Sequence, residues 1–329
     1  MNGPRLPSPR GALSHALVSA LGGPGRPTNV EQPAHDADPF GDDLQLALYT
    51  LYELHYRGFR QVADDLEWDP RLLALRRTLE SRFADALHEA VPAEASAAAA
   101  LEALLVEPAG HVGTSVSHYL QREGDLRRLR EYAALRSLYH LKEADPHAWV
   151  IPRLRGRAKA AMAAVEFDEF GAGRAEEVHA QLFARLMEDL GLCSDYGHYV
   201  DAAPAEALAT VNLMSLLGLH RALRGALVGH FAAVEITSSP GSRRLSAALC
   251  RAGAGPAAQR FYDEHVVADA VHEQVVRRDV VGGLLDDEPE LEADIAFGVR
   301  VTGFLEDRLG DALLAAWRAR RSALRRPLE

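Results

Sequence analysis

Three residues that can bind a metal fall on one face of a predicted helix in the C-terminal half of the sequence. In the run FYDEHVVADAVHEQVV, His265, Asp269 and His272 stand at positions i, i+4 and i+7, which brings their side chains to the same side of an α-helix. Valine and alanine surround them, and burying an unpaired charge among such neighbours is costly. A metal ion would explain the arrangement, although taken alone the three residues fit a chance pattern equally well.

Other predicted helices each add a carboxylate or a histidine. In chain order the sequence gives Glu143, Glu176-x-x-His179, Glu235 and Asp269-x-x-His272. Single carboxylates that alternate with such pairs are the ligand pattern of di-iron helical bundles. His and carboxylate ligands suit Fe(II) and oxygen chemistry better than they suit a closed structural zinc site. Spacing alone therefore predicts a ferritin-like di-iron protein.

The elements that must position these residues are helices, because apolar residues recur at helical spacing and strand patterns are nearly absent. We predict an all-α protein with a mobile tail at 1–38, a helical N-terminal unit at 39–115 and a di-iron domain at 116–329. Loops are expected at 191–204 and 237–255, where Gly, Ser and Pro cluster. Helices are expected at 44–59, 70–91, 92–110, 116–142, 157–190, 205–233, 256–285 and 291–323.

Composition excludes several classes of protein. The chain has 329 residues, 48% of them hydrophobic, and a formal net charge of -11, so it can bury a core but has no general basic field for nucleic acid. No apolar run is long enough for a membrane span, and no signal peptide is evident, which predicts a cytoplasmic protein. Cys193 and Cys250 form no CxxC pair, and phosphate-loop and GxSxG motifs are absent.

Longer stretches of the sequence resemble a known family. The runs LKEADPHAWVIPRL (141–154) and EFDEFGAGRAEEVHAQLF (166–183), and the helix that carries His265, are similar to the haem-oxygenase-like di-iron oxidases, also described as iron-containing redox enzymes. DLQLALYTLYELHYRGF and LEWDP resemble the helical unit that precedes this core in one branch of the family. The resemblance covers roughly Asp38 to the end of the His272 helix. It implies a haem-oxygenase-like helical bundle preceded by a helical N-terminal unit.

The resemblance also implies which residues face the iron, and it replaces Glu176 with Glu169. Glu169 and His179 are ten positions apart, which places them about 80° apart on a regular helix. They converge only if the helix is deformed, and Gly171 and Gly173 could permit this. We prefer Glu169, with Glu176 as the alternative. The implied catalytic and metal-binding residues are Glu143, Glu169, His179, Glu235, His265, Asp269 and His272.

Three further polar residues are not expected to bind the metal. Glu53 and His55 are two positions apart and would face away from each other on a helix, so they are interpreted as packing and capping residues. His140 stands one turn before Glu143 and could approach the site. A hydrogen-bonding role is expected for His140 rather than a bond to the metal.

The activity implied by the resemblance uses two Fe(II) ions, O2 as co-substrate and an external electron donor, either a protein or a small reductant. We favour N-oxygenation of an amino or guanidino nitrogen in a natural-product pathway, on a small amine, guanidine or amino-acid-like substrate. One alternative is a di-iron oxidase that cleaves or decarboxylates an amino or fatty acid. An alternative of another class is a non-catalytic iron-binding bundle. A homodimer through the N-terminal helices is also expected, from the family resemblance and from the Leu- and Tyr-rich face at 44–56.

Overall fold

The computed structural model describes residues 3–23, 31–91, 96–106 and 115–328, and within these ranges the chain contains helices and no strand. The predicted all-α fold is thereby confirmed. The expected start and end of the helix at 92–110 lie outside the described residues. Residues 107–114, just before the predicted domain boundary at 115, lie outside them as well. The divisions at 38 and 115 stay predictions.

Fifteen α-helices are described, and several begin where the sequence provides a cap. The Asp69 carboxylate accepts hydrogen bonds from the first-turn N–H groups of α4, and Asp125 does the same for α7, which satisfies donors that have no partner inside a helix. The helices are α1 (Ala12–Gly22), α2 (Glu31–Asp36), α3 (Asp42–Glu53), α4 (Pro70–Ala90), α5 (Ala97–Leu105), α6 (Val116–Glu123), α7 (Leu126–His140), α8 (Asp145–Ala148), α9 (Gly156–Glu169), α10 (His179–Asp189), α11 (Ala205–Leu219), α12 (Arg224–Arg251), α13 (Pro256–Val275), α14 (Gly282–Asp287) and α15 (Glu292–Arg318).

The predicted loop at 237–255 is wrong over most of its length. Helix α12 continues through Pro240 and ends at Arg251. A proline inside a helix removes one backbone hydrogen bond, but Leu245, Ala248 and Leu249 beyond it are buried in the core. Burial of that apolar face outweighs the local preference for a turn. The predicted helix at 205–233 is instead divided at His220, where the backbone is extended.

The predicted mobile tail is also wrong for residues 12–22. Leu13, Leu17 and Leu21 recur every four residues along α1 and are buried in the core. The Asp43 carboxylate accepts hydrogen bonds from the backbone N–H groups of Leu13 at 3.0 Å and Ser14 at 2.8 Å. An acceptor supplied by α3 therefore caps α1, and the short local sequence gives no sign of it.

The N-terminal helices share their core with the rest of the chain. Leu44, Leu48 and Leu51 of α3 belong to the same buried cluster as Leu227 and Ile295 from α12 and α15. The Leu- and Tyr-rich face assigned to a dimer contact is therefore used inside the chain. The homodimer itself stays a prediction, and it now rests on the family resemblance alone.

Close packing of α12 on α15 fixes the helix that carries Glu235. Gly229 and Gly298 lie where the two helices meet, and a side chain at either position would overlap the backbone of the opposite helix, at Ile295 or Ala226. Glycine thus permits direct backbone contact at this crossing. None of the described helices combines the length and the apolar content needed to cross a bilayer.

Candidate metal centre

A turn after α7 brings Glu143 into the interior of the bundle. The chain changes direction at Ala144, which has a left-handed backbone (φ 74°), and α8 starts immediately afterwards with Asp145 and Pro146. Glu143 is 7% exposed. Its Oε1 atom lies 2.7 Å from Nδ1 of His140, so His140 has the hydrogen-bonding position expected of it.

The predicted helix at 157–190 is interrupted between Glu169 and His179. Helix α9 ends at Glu169, two 3-10 turns follow at Gly171–Gly173 and Ala175–Glu177, and α10 begins at His179. Gly171 has φ 76° and Gly173 has φ 83°, a region that glycine adopts without strain. The predicted local deformation is confirmed, and it brings Nδ1 of His179 to 2.6 Å from Oε2 of Glu169. Glu176 is exposed on the second of these turns.

Helices α12 and α13 contribute the other predicted ligands. His265, Asp269 and His272 are all buried on one face of α13, as their spacing predicts. Glu235 of α12 is 5% exposed, and its Oε2 lies 3.4 Å from Nδ1 of His272. Asp269 Oδ1 lies 3.7 Å from the same nitrogen.

The ligand atoms form two groups that share one residue. Within each group the atoms lie no more than 4.8 Å from one another. Glu169 belongs to both groups, because its Oε2 faces His179 and its Oε1 lies 3.4 Å from Nδ1 of His272. The first group is Glu143, Glu169, His179 and His265, and the second is Glu169, Asp269 and His272. Glu169 therefore lies between the two groups and can contribute an oxygen to each.

Hydrogen bonds outside the cluster orient two of the imidazoles. Nδ1 of His265 donates to the carbonyl oxygen of Phe261 at 2.7 Å, which leaves Nε2 directed at Glu143 Oε1, 3.7 Å away. His272 has the opposite arrangement, since its Nε2 faces Asp168 Oδ2 at 3.3 Å and its Nδ1 faces the carboxylates. Partners of this kind fix which nitrogen is available to a metal.

Buried atoms without hydrogen-bond partners collect at this site. Polar atoms in protein interiors are normally bonded, so such a concentration requires an explanation. His179 Nδ1 is close to Glu169 without the alignment of a hydrogen bond. The atoms of the predicted ligands that have no hydrogen-bond partner within the described part of the chain are Glu143 Oε2, His179 Nδ1, Glu235 Oε2, His265 Nε2, Asp269 Oδ2 and His272 Nδ1. They are nitrogen and oxygen donors suited to iron, and the residues therefore fit a metal ion.

The acids and imidazoles of this cluster shift one another's pKa values. Burial alone would lower the pKa of His272, but contacts with Glu169 and Glu235 raise it to about 11. Burial opposes the charge on His265 in the same way, and Glu143 raises its pKa to about 10. Burial raises the pKa of Glu235 to about 8, and it raises the pKa of Asp269 to about 6. Protonated imidazoles thus occupy positions that a cation could take.

Several polar residues at the site were not identified from the sequence. Glu166 is buried one turn before Glu169, and the exposed Asp168 contacts His272. The i−3 spacing from Glu169 could have indicated Glu166. Lys142, the residue before Glu143 in the chain, forms a buried ion pair of 3.1 Å with Glu53. No local sequence pattern shows that residues so distant in the chain meet.

Comparison with known proteins agrees with this geometry. A search of curated proteins finds no match to the chain. The profile of a family described as iron-containing redox enzyme matches residues 130–306, more than half of the chain, from α7 into α15. The matched region includes every predicted ligand. The chain therefore belongs to the iron-containing redox enzyme family, whose members share the haem-oxygenase-like helical fold, and it is an oxidoreductase with a buried His and carboxylate cluster compatible with iron.

Proposed function

We propose that this protein binds two Fe(II) ions and uses O2 to oxidise an amino or guanidino nitrogen of a small substrate. The observation that carries the proposal is the position of Glu169, whose two oxygens face different groups of potential ligands. One carboxylate that serves two adjacent groups is suited to a pair of metal ions rather than to one.

The charges of the predicted ligands also suit two ferrous ions. Four of the predicted ligands are carboxylates, Glu143, Glu169, Glu235 and Asp269, and their negative charges would balance two divalent cations. The remaining ligands, His179, His265 and His272, would bind as neutral imidazoles. This balance matters because the site is buried, where an uncompensated charge is costly.

When bound, the iron ions would supply the electrons with which dioxygen is reduced. The conversion of an amine to a hydroxylamine consumes O2, two electrons and two protons and yields one water, so an external donor must supply electrons for each turnover. The residues of the chain hold the metals in fixed positions, keep bulk water away through burial, and orient His265 and His272 through Phe261 and Asp168. The N-oxygenase assignment itself is supported by the resemblance of the helical N-terminal unit followed by LKEADPH (141–147) to the N-oxygenating branch of the family.

Anaerobic loading with Fe(II) tests the metal centre. We expect about two irons per chain, and we expect loss of iron in His179→Ala and Asp269→Ala. Glu169→Gln and Glu176→Gln form a matched pair, because only the first residue lies in the cluster. Retention of both irons in Glu169→Gln with loss in Glu176→Gln would reverse the choice of ligand. Absence of iron in the wild-type protein would remove the proposed function.

Oxygen uptake with a panel of amines, guanidines and amino acids then tests the reaction. A hydroxylamine, nitroso or nitro product supports N-oxygenation. A shortened or decarboxylated product would instead identify the related oxidase that cleaves amino or fatty acids. Iron binding with no product from any substrate, or uptake of many irons per chain, would indicate a non-catalytic iron-binding bundle.

A further inference from the structure

A buried carboxylate beside the metal centre has no partner. Glu166 is 2% exposed, and neither of its side-chain oxygens has a hydrogen-bond partner among the described residues. It lies on α9 three residues before Glu169, which places the two side chains on the same face of the helix. A carboxyl group in this position incurs the cost of desolvation with no compensating contact.

The surroundings of Glu166 are acidic. Burial raises the pKa of Glu166 well above its ordinary value, and the nearby carboxylates, first Glu169 and then Glu235, raise it further. The buried hydroxyl of Tyr139 has its pKa raised by burial and by Glu143, Glu169, Glu166 and Glu235. Glu166 therefore faces the same interior region as the predicted ligands.

Two ferrous ions would not neutralise Glu166. Four carboxylates among the predicted ligands already match the four positive charges of the metals, and the histidines are neutral when they bind. Glu166 is a fifth carboxylate at the same site. Neither of its side-chain oxygens is hydrogen-bonded to an Arg or Lys side chain among the described residues. An ionised Glu166 therefore requires one further positive charge, which the described part of the protein does not supply.

We propose that Glu166 binds the cationic end of the substrate, a guanidinium or ammonium group, beside the loaded metal centre. This inference rests on the proposed function and specifies its substrate class. A single positive charge completes the charge balance, and its N–H groups satisfy both free carboxylate oxygens. Glu166 thereby selects cationic substrates over neutral ones of the same shape.

Binding of butylguanidinium and of its neutral isostere butylurea to the anaerobic Fe(II)-loaded protein tests this proposal without turnover. Isothermal titration calorimetry should give roughly 30-fold tighter binding of butylguanidinium, because a buried charge pair contributes to one complex and not to the other. Equal binding of the two probes by the wild-type protein would overturn the inference. Because this comparison uses only the wild-type protein, it does not depend on whether any variant folds.

Glu166→Gln keeps the shape of the side chain and removes its charge. We expect this variant to retain the iron content of the wild-type protein and to lose the preference for butylguanidinium. The matched control is Glu264→Gln, an exposed residue of α13, which should retain the preference. Loss of iron in Glu166→Gln would show that Glu166 is a metal ligand and would overturn the inference. An unchanged preference with full iron content would overturn it while leaving the di-iron proposal intact.

Discussion

The Nε2 atom of His272 lies 3.3 Å from Oδ2 of Asp168, and this hydrogen bond joins the buried cluster to the protein surface. His272 is almost fully buried, whereas the Asp168 side chain is 56% exposed. Because Asp168 accepts the Nε2 proton, Nδ1 is the nitrogen left for the metal. Asp168 thus orients a ligand without itself facing the cluster.

Asp168→Asn is expected to weaken Fe(II) binding. An amide can present its N–H group to His272 and favour the wrong tautomer, and loss of such a partner typically lowers metal affinity by about 10- to 100-fold. Anaerobic titration with Fe(II) measures the change. The fold should be retained because Asp168 is exposed, and Asp311→Asn, at an exposed position of α15, is the control. Equal iron affinity in the wild-type protein and Asp168→Asn would refute the orienting role.

Gly171→Ala should destabilise the protein and separate Glu169 from His179. A Cβ atom at Gly171 would lie 2.6 Å from the backbone nitrogen of Val178, and the φ of 76° disfavours any side chain. We expect a loss of at least about 1 kcal/mol in the free energy of unfolding together with reduced iron content. Thermal unfolding and iron analysis measure these two effects.

Gly303→Ala is the matched control for this substitution. Gly303 lies within α15, and a Cβ atom there would meet no atom within 4 Å. Alanine in an unobstructed helical position should raise stability by roughly 0.5–1 kcal/mol. If both variants behave alike, the close approach at Gly171 does not determine the geometry of the metal centre.

The sequence predicts those parts of the site that depend on local geometry. Spacing along one helix places His265, Asp269 and His272 on a common face, and glycines between Glu169 and His179 permit the break that brings these two together. Each inference uses only the helical period and the conformational freedom of glycine. The helical fold follows from the same periodicity.

Features that depend on long-range contacts could not be predicted. Asp43 caps α1 across about thirty residues of sequence, so the segment resembles a tail when it is considered alone. Burial in the core keeps α12 helical past Pro240. Glu166 and Asp168 flank one position in the same run, yet one is buried and the other exposed, a difference set by the packing of α9 rather than by residue type.

Lys142→Met should strongly destabilise the protein. Lys142 is 1% exposed and Glu53 is fully buried, and the Lys142 ammonium also lies 4.0 Å from the centre of the Tyr56 ring. Removing the lysine leaves a buried carboxylate without its cation, which typically costs about 3–5 kcal/mol. Urea unfolding measures this loss. The double variant Lys142→Met/Glu53→Gln should recover part of it, and failure to recover any would show that Lys142 acts through packing alone.

Loading with Fe(II) should release protons, and the affinity for iron should increase with pH. Without bound iron, contacts with neighbouring carboxylates raise the pKa values of His265 and His272 to about 10 and about 11, so both imidazoles carry an extra proton at pH 7. Iron requires the neutral form, and binding must therefore displace these protons. As pH rises, fewer protons compete with the metal.

Calorimetric titration at pH 7 in two buffers with different ionisation enthalpies counts the protons released. We expect at least one proton per bound iron, because each histidine with a raised pKa must lose its extra proton before it can bind iron. His272→Gln should reduce the number released, whereas His198→Gln, a substitution outside the cluster, should not. Identical heats in both buffers would mean that the imidazoles are already neutral before the metal binds, contrary to the charge distribution of the cluster.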